Sequence, residues 1–267
     1  MNFILSIFFF SLLYFPFDSK AAVENFSVTL YESDHNGKND SYHKDKKRKT
    51  ILAVPASVRP DDLTLIVWFH GLNGFSEKTF ERVFSQVKRL ADDGKSVAVV
   101  IPEMPWSSMT KTPRSRQGRI WKKKDQFKRF LNEAMTILDK KVTKLTGHKP
   151  INTEVIIVGH SAGGSAIASA SREGSLCDSR VTHVVWSDAS YGSWLEKAHL
   201  GCLKDSKITQ KVIVRKWDSP HKNALKFYKN YKNIENHDFI VLNRRKYTHG
   251  AIGDNALELS KLFPPGC

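Results

Sequence analysis

From residue 63 onward, short apolar runs alternate with segments whose apolar residues recur at helical spacing. The runs at 63–69, 97–101 and 155–158 are typical of strands buried on both faces, and 76–90 and 125–145 each place apolar side chains on one helical face. Further strands are predicted at 181–186, 211–215 and 238–242, and further helices at 163–171, 224–231 and 255–262. Because parallel strands need crossover connections, this alternation predicts an α/β fold with a mostly parallel sheet and helices on both faces.

The segment before residue 63 adds two more strands, predicted at 26–31 and 51–54 and joined by a charged segment. Such a pair is antiparallel. No break in composition divides the chain, and its 267 residues can bury a core without metal support. We therefore expect one domain over 22–267. The segment between residues 186 and 211 is too short to hold a large cap domain.

Residues 3–17 are almost wholly apolar. The run is too short, and too interrupted by Pro16, for a comfortable membrane span. Ser19 and Ala21 follow it as the small residues that a signal peptidase needs. The sequence therefore predicts a signal peptide over 1–21 and a secreted or periplasmic protein, with an uncleaved anchor as the alternative.

The three cysteines are Cys177, Cys202 and Cys267. Export makes a disulfide possible, and three cysteines imply one pair plus an odd thiol. The sequence does not choose the pair, and three unpaired thiols are the alternative. No metal-ligand spacing is present, so we expect no metal ion.

The chain is strongly basic, with 42 lysines and arginines against 27 aspartates and glutamates and a net charge of +15. Such an excess favours anionic partners: nucleic acid, acidic polysaccharide or an anionic membrane or envelope surface. No nucleic-acid motif accompanies the charge, so we expect no specific nucleic-acid partner.

The segment with the clearest chemistry is Ile156–Gly164, in which an apolar strand runs into Gly-His-Ser-Ala-Gly and then into a helix of small residues. This is the nucleophile-elbow pattern. Gly159 and Gly163 are needed because side chains would clash in so tight a turn. The turn presents the Ser161 hydroxyl at the sheet edge, and the helix N-terminus offers N–H groups to a developing oxyanion.

Over essentially the whole chain after residue 21, the sequence resembles the α/β-hydrolase superfamily. The motifs that carry the resemblance are VWFHGLNG at 67–74, GHSAGG at 159–164 and THGAIG at 248–253. The resemblance implies a serine hydrolase without a cofactor, with Ser161 as nucleophile. It also implies an oxyanion hole formed by the backbone N–H groups of Ala162 and of Leu72 or a near neighbour.

In this superfamily the histidine follows the acid along the chain. His249 fits best, because it follows the last predicted strand and begins a glycine-containing loop before the final helix. His237 precedes that strand, at the wrong end of the sheet. His199 and His221 are reserves, whereas His70 and His160 lie in the two motif turns and shape backbone rather than transfer protons.

Two aspartates compete for the role of the acid. Asp218 follows the seventh strand, where the superfamily most often places the acid, but Lys216, His221 and Lys222 are near it and would pair with it at the surface. Asp188 follows the sixth strand among small residues, in a segment similar to the DALYG segment of some bacterial hydrolases. We favour Asp188 and keep Asp218 as the alternative.

The longest irregular segment, 102–123, leaves the carboxyl end of a strand, where open α/β sheets bind ligands. Tryptophans interleaved with arginines, among them Trp106 and Arg116, make it a candidate substrate-binding segment for a sugar chain or anionic polymer. The alternative is a solvated loop whose tryptophans pack on the domain.

These features predict an exported serine hydrolase that cleaves a carboxylic ester, anionic or polymeric, through an acyl-enzyme intermediate. A hydrolase of cell-wall or polymer linkages is the first alternative. The second is a catalytically inactive α/β-hydrolase fold that serves as a basic binding module for anionic envelope polymer.

Overall fold

The computed structural model describes residues 25–33, 48–72, 74–104, 118, 120–232 and 234–263. Its eight-stranded sheet has the order β1-β2-β4-β3-β5-β6-β7-β8. β1 pairs antiparallel with β2, and β2 with β4, while the other neighbours are parallel. The strands are β1 Phe26–Ser33, β2 Arg48–Pro55, β3 Thr64–Phe69, β4 Val97–Pro102, β5 Glu154–His160, β6 Val181–Ser187, β7 Thr209–Arg215 and β8 His237–Leu242. The predicted mostly parallel sheet is confirmed.

Helices connect the parallel strands and cover the sheet. They are α1 Glu77–Asp92, α2 Gln126–Thr146, α3 Gly164–Glu173, α4 Trp194–Ala198, α5 Ser219–Asn230, α6 His249–Asp254 and α7 Ala256–Leu259. Short turns of tighter or wider helix lie at Ile120–Lys122, Ser161–Gly163 and His199–Leu203. Among the described residues, no helix has the length and apolar character needed to cross a bilayer.

The core forms two layers, one on each face of the sheet, because successive strand residues point to opposite faces. Along β3, Leu65, Val67 and Phe69 pack in one layer. Ile66 and Trp68 pack in the other. Helices therefore lie on both faces, as the apolar strand predicted.

The predicted inward faces of the two long helices are buried. In α1 these are Phe80, Val83, Phe84, Val87 and Leu90, and in α2 Phe127, Phe130, Leu131, Ala134, Leu138 and Val142. Gly147 ends α2 in the left-handed conformation, with φ of 80°, which glycine adopts without steric cost.

The helix α4, Trp194–Ala198, was not predicted, and two further helical segments differ from the prediction. α5 begins at Ser219 rather than 224, because Asp218 occupies the N-cap and Pro220 suits the first turn. The segment after residue 248, predicted as a loop, is α6. Its N-cap is Thr248, whose side-chain oxygen accepts a hydrogen bond from the Ala251 N–H at 3.0 Å.

A disulfide joins Cys177, which follows α3, to Cys202 in the wide turn after α4. It ties together two helical segments on one side of the sheet. The sequence left this pairing open, and Cys267 lies outside the described residues. The predicted signal segment 1–21 lies outside them as well.

Candidate active site

The site begins at the carboxyl end of β5, where Ser161 has φ of 53°. A serine with positive φ is uncommon and costs conformational energy. β5 ends at His160, and α3 begins at Gly164, so only the short turn Ser161–Gly163 lies between them. The strand therefore delivers Ser161 to the sheet edge in the sharp turn that the sequence predicted.

Glycines make this turn possible. A Cβ on Gly163 would lie 2.1 Å from the Phe69 carbonyl oxygen, and one on Gly159 would lie 2.6 Å from Ile167 Cδ1. The first is a backbone clash that no rotamer change relieves. A Cβ on Gly71 would lie 3.2 Å from Ser161 Cβ, which shows how closely the loop after β3 approaches the serine.

His249 and Asp188 meet although 61 residues separate them. His249 Nδ1 lies 2.6 Å from Asp188 Oδ2. The Asp188 residue is only 1% exposed, whereas the His249 side chain is 37% exposed. A carboxylate accepts hydrogen bonds, so Nδ1 carries the ring proton and donates the hydrogen bond to Asp188. The other ring nitrogen, Nε2, is then the one with a free lone pair.

Asp188 is held by backbone as well as by the imidazole. It follows β6 with φ of 47°, and its N–H donates to the Ile213 carbonyl at 2.8 Å. The N–H of Arg215 donates to Asp188 Oδ1 at 3.4 Å. The end of β7 thus fixes the carboxylate that faces His249.

Asp218 takes a different position. Its carboxylate pairs with Arg215, and Arg244 Nε lies 3.7 Å from its Oδ1. The sequence suggested Lys216, His221 and Lys222 as the cations that pair with Asp218. The structure gives it Arg215 at the end of β7 and Arg244 in the loop after β8 instead. Of the two candidate acids, Asp188 alone is hydrogen-bonded to His249 in the structure.

His160, which precedes the serine, packs on the histidine that faces it. Its ring stacks on that of His249, with centroids 4.8 Å apart and planes 28° apart. His160 Nε2 donates to the His249 carbonyl at 3.2 Å. Burial, with the nearby His249 adding to it, lowers the pKa of His160 to about 4. This contact was not predicted from the sequence, where its signal was the place of His160 within the elbow.

His70 fixes the loop after β3. It is 1% exposed, its Nδ1 donates to the Gly71 carbonyl at 2.7 Å, and its Nε2 accepts the Met104 N–H at 3.0 Å. Burial lowers the pKa of His70 to about 4, so the ring is neutral, as an accepting Nε2 requires. His70 thereby joins the loop that carries Leu72 to the end of β4.

Ser161 and His249 line one cleft of about 410 Å³, together with Gly71, Leu72 and Tyr191. Ala162 is buried directly after the serine. The structure thus brings together the carboxyl ends of β3, β5, β6 and β8. Trp106 and Arg116, the candidate substrate-binding residues, lie outside the described residues.

His237, His199 and His221 lie away from this cleft. His237 begins β8, and its ring contacts Gln210 and Tyr228. His221 Nδ1 accepts the N–H of Trp217. Over the residues that the structure describes, no three histidine, cysteine or acidic side chains are grouped as a metal would need.

No protein-family model and no curated protein sequence matches the chain. Solved structures do match it. An esterase from an Arctic intertidal metagenomic library is 12% identical, with a TM-score of 0.57 over 91% of this chain and 94% of that one. Esterase B from Lactobacillus rhamnosis is 13% identical, with a TM-score of 0.51 over 89% and 84%.

An esterase from Pyrobaculum calidifontis is 12% identical, with a TM-score of 0.52 over 89% of this chain and 82% of that one. At such identities the likeness establishes architecture rather than activity. Together with the strand order and the elbow between β5 and α3, it shows that the chain has the α/β-hydrolase fold.

Proposed function

We propose that this protein is a serine hydrolase that cleaves a carboxylic ester through an acyl-enzyme intermediate on Ser161. The observation that carries the proposal is the buried Asp188 carboxylate at 2.6 Å from His249 Nδ1, while His249 and Ser161 line the same cleft. A nucleophile, a base and an acid that orients the base are the parts that acyl transfer needs.

In the proposed mechanism, His249 Nε2 takes the proton of the Ser161 hydroxyl as its oxygen attacks the ester carbonyl carbon. The carbonyl oxygen becomes an oxyanion, stabilised by the N–H groups of Ala162 and Leu72. The intermediate collapses, the alcohol leaves with the proton from His249, and an acyl-serine remains. Water, deprotonated by His249, then attacks the acyl-serine and releases the carboxylic acid.

Asp188 acts through the histidine. By accepting a hydrogen bond from Nδ1–H it keeps the Nε2 lone pair available, and its negative charge stabilises the imidazolium that forms in each half-reaction. Its burial strengthens this interaction, because charges attract more strongly where water is excluded.

The ester substrate is supported at a coarse level by the structural neighbours, which are named as esterases. The net charge of +15 supports an anionic or polymeric ester and association with an envelope or membrane surface.

We further propose that residues 1–21 are a signal peptide, that the domain spans 22–267 and that the protein is secreted or periplasmic. The Cys177–Cys202 disulfide supports export, because disulfides persist in oxidising compartments and are rare in the cytosol.

A fluorophosphonate probe tests the nucleophile directly. We expect it to label Ser161 of the wild-type protein, because such probes react only with an activated serine, and intact-mass and peptide mass spectrometry would locate the adduct. Prior heat denaturation should abolish labelling. Absence of labelling in the folded protein, combined with salt-sensitive polyanion binding, would instead favour the inactive binding module.

The mature N-terminus tests the export proposal. Mass spectrometry of the exported protein should find a chain that begins near Ala22, since Ser19 and Ala21 have the size that signal peptidase accepts. A chain that keeps Met1 and stays with the membrane fraction would replace the signal peptide by an anchor.

A further inference from the structure

A second cavity, of about 310 Å³, lies between α3, α4 and the turn Ile120–Lys122. Helix α3 contributes Ser165, Ser169 and Arg172, which recur at helical spacing and so share one face. Trp194 and Lys197 of α4, together with Lys122 and Glu173, complete the polar and aromatic lining. We name it the cationic cavity.

The charges around the cationic cavity are unbalanced. Among the described residues that line it, three carry a positive charge (Lys122, Arg172 and Lys197) and one a negative charge (Glu173). Glu173 Oε1 accepts the N–H of Asp125 at 2.9 Å, and among the described residues its Oε2 is buried without a hydrogen-bond partner. In the part of the chain that the structure describes, none of the three cations forms an ion pair. Like charges on one concave wall repel, and a bound anion relieves that repulsion.

An aromatic pair links the cationic cavity to the catalytic cleft. Tyr191 lines the cleft and Trp194 lines the cavity. Their rings meet edge to face, with centroids 5.8 Å apart, and the Tyr191 ring lies 6.5 Å from that of His249.

The cavity also extends away from the serine along α3. Ser165 lies about one helical turn beyond Ser161, and Arg172 lies about 10 Å further along the axis, at about 1.5 Å per residue. The cationic cavity and the nucleophile are therefore separated by about 15 Å along the direction of α3.

We propose that the cationic cavity binds a carboxylate-bearing sugar unit of an acidic polysaccharide. Arg172 and the lysines suit the carboxylate, the Trp194 ring suits the apolar face of a sugar ring, and the Ser169 hydroxyl suits one of its hydroxyl groups. A recessed cavity fits a chain unit better than a flat bilayer surface. This inference names a substrate class for the proposed function. It rests on that function in one respect, namely that an ester group of the same polysaccharide reacts in the catalytic cleft.

Binding is tested with short oligogalacturonate and, as the uncharged probe, a galactose oligomer of equal length. Isothermal titration should show binding of the charged oligomer alone. Arg172→Gln/Lys197→Gln should raise its Kd about tenfold or more, which is about 1.4 kcal/mol. The matched control, Lys226→Gln/Lys229→Gln on the exposed face of α5, removes the same charge and should leave Kd near wild type.

Thermal denaturation would verify that both double variants fold. Equal loss of affinity in the two would reduce the effect to net charge and overturn the proposal. So would binding to vesicles of anionic phospholipid, or to single-stranded oligonucleotide, in preference to the charged sugar.

Kinetics separate this inference from the proposed function. With a small neutral ester, the cavity variant should match wild type. With partly methyl-esterified oligogalacturonate, which keeps free carboxylates beside its ester groups, it should raise KM and leave kcat unchanged. If neither ester is hydrolysed, the proposed function fails while the binding test still decides the cavity. If both esters are hydrolysed and the variant changes neither KM nor Kd, the cavity proposal fails alone.

Discussion

Replacing Ser161 with alanine is expected to lower the hydrolysis of a p-nitrophenyl ester by about 10³-fold or more, with the fold intact. The change deletes the attacking oxygen and nothing else. Alanine also carries a Cβ, so at φ of 53° the strain of the elbow is kept rather than relieved. Initial rates measure the defect, and thermal unfolding verifies the fold.

His249→Ala should abolish activity nearly as fully, and the double variant should be little worse, because the two residues act as one unit. Ser85→Ala makes the same change as Ser161→Ala on the exposed side of α1. It is the matched control for that variant and should retain wild-type rates. Near wild-type activity in Ser161→Ala would exclude it as the nucleophile. Losses that simply multiply in the double variant would show that the two residues act independently.

The sheet was predictable because its signal is local. A strand buried on both faces must be continuously apolar, so β3 and β4 stand out from any polar segment. The elbow was predictable for a related reason, since Gly159 and Gly163 have no room for a side chain. The helical faces followed from periodicity alone.

The parts that the sequence left open depend on contacts between distant residues. The Cys177–Cys202 pair is set by how α3 and the turn after α4 pack, which no spacing reveals. The stacking of His160 on His249 brings the end of β5 against the start of α6, two elements that are far apart along the chain. Helix α6 was missed for a local reason, because its signal is a single capping threonine before a glycine-rich segment.

The two candidate acids show the same limit. Asp188 and Asp218 both follow parallel strands and both precede His249, so chain order cannot separate them. What separates them is the side chain that each meets. Asp188 meets His249 from a buried turn, whereas Asp218 meets Arg215 and Arg244.

Asp188→Asn should therefore lower kcat by up to about 10⁴-fold with KM little changed. The asparagine keeps the shape of the carboxylate, but its amide group can donate to Nδ1. The imidazole then holds its proton on Nε2, the nitrogen that must accept the proton of Ser161. The loss of the buried negative charge also removes the partner that stabilises the imidazolium. Steady-state kinetics on one ester at one pH would measure the effect.

Asp218→Asn is the matched control, because it makes the same chemical change at the end of the next strand. Its carboxylate pairs with arginines and its side chain is 16% exposed. The Arg215–Asp218 pair is largely shielded from water, so breaking it should lower the melting temperature. The value of kcat should stay close to wild type, because the partners of Asp218 are the arginines and not His249. The reverse order of defects would move the acid to the end of β7 and leave Ser161 and His249 in their roles. Small, equal effects in both variants would contradict the triad and favour a fold that binds rather than cleaves.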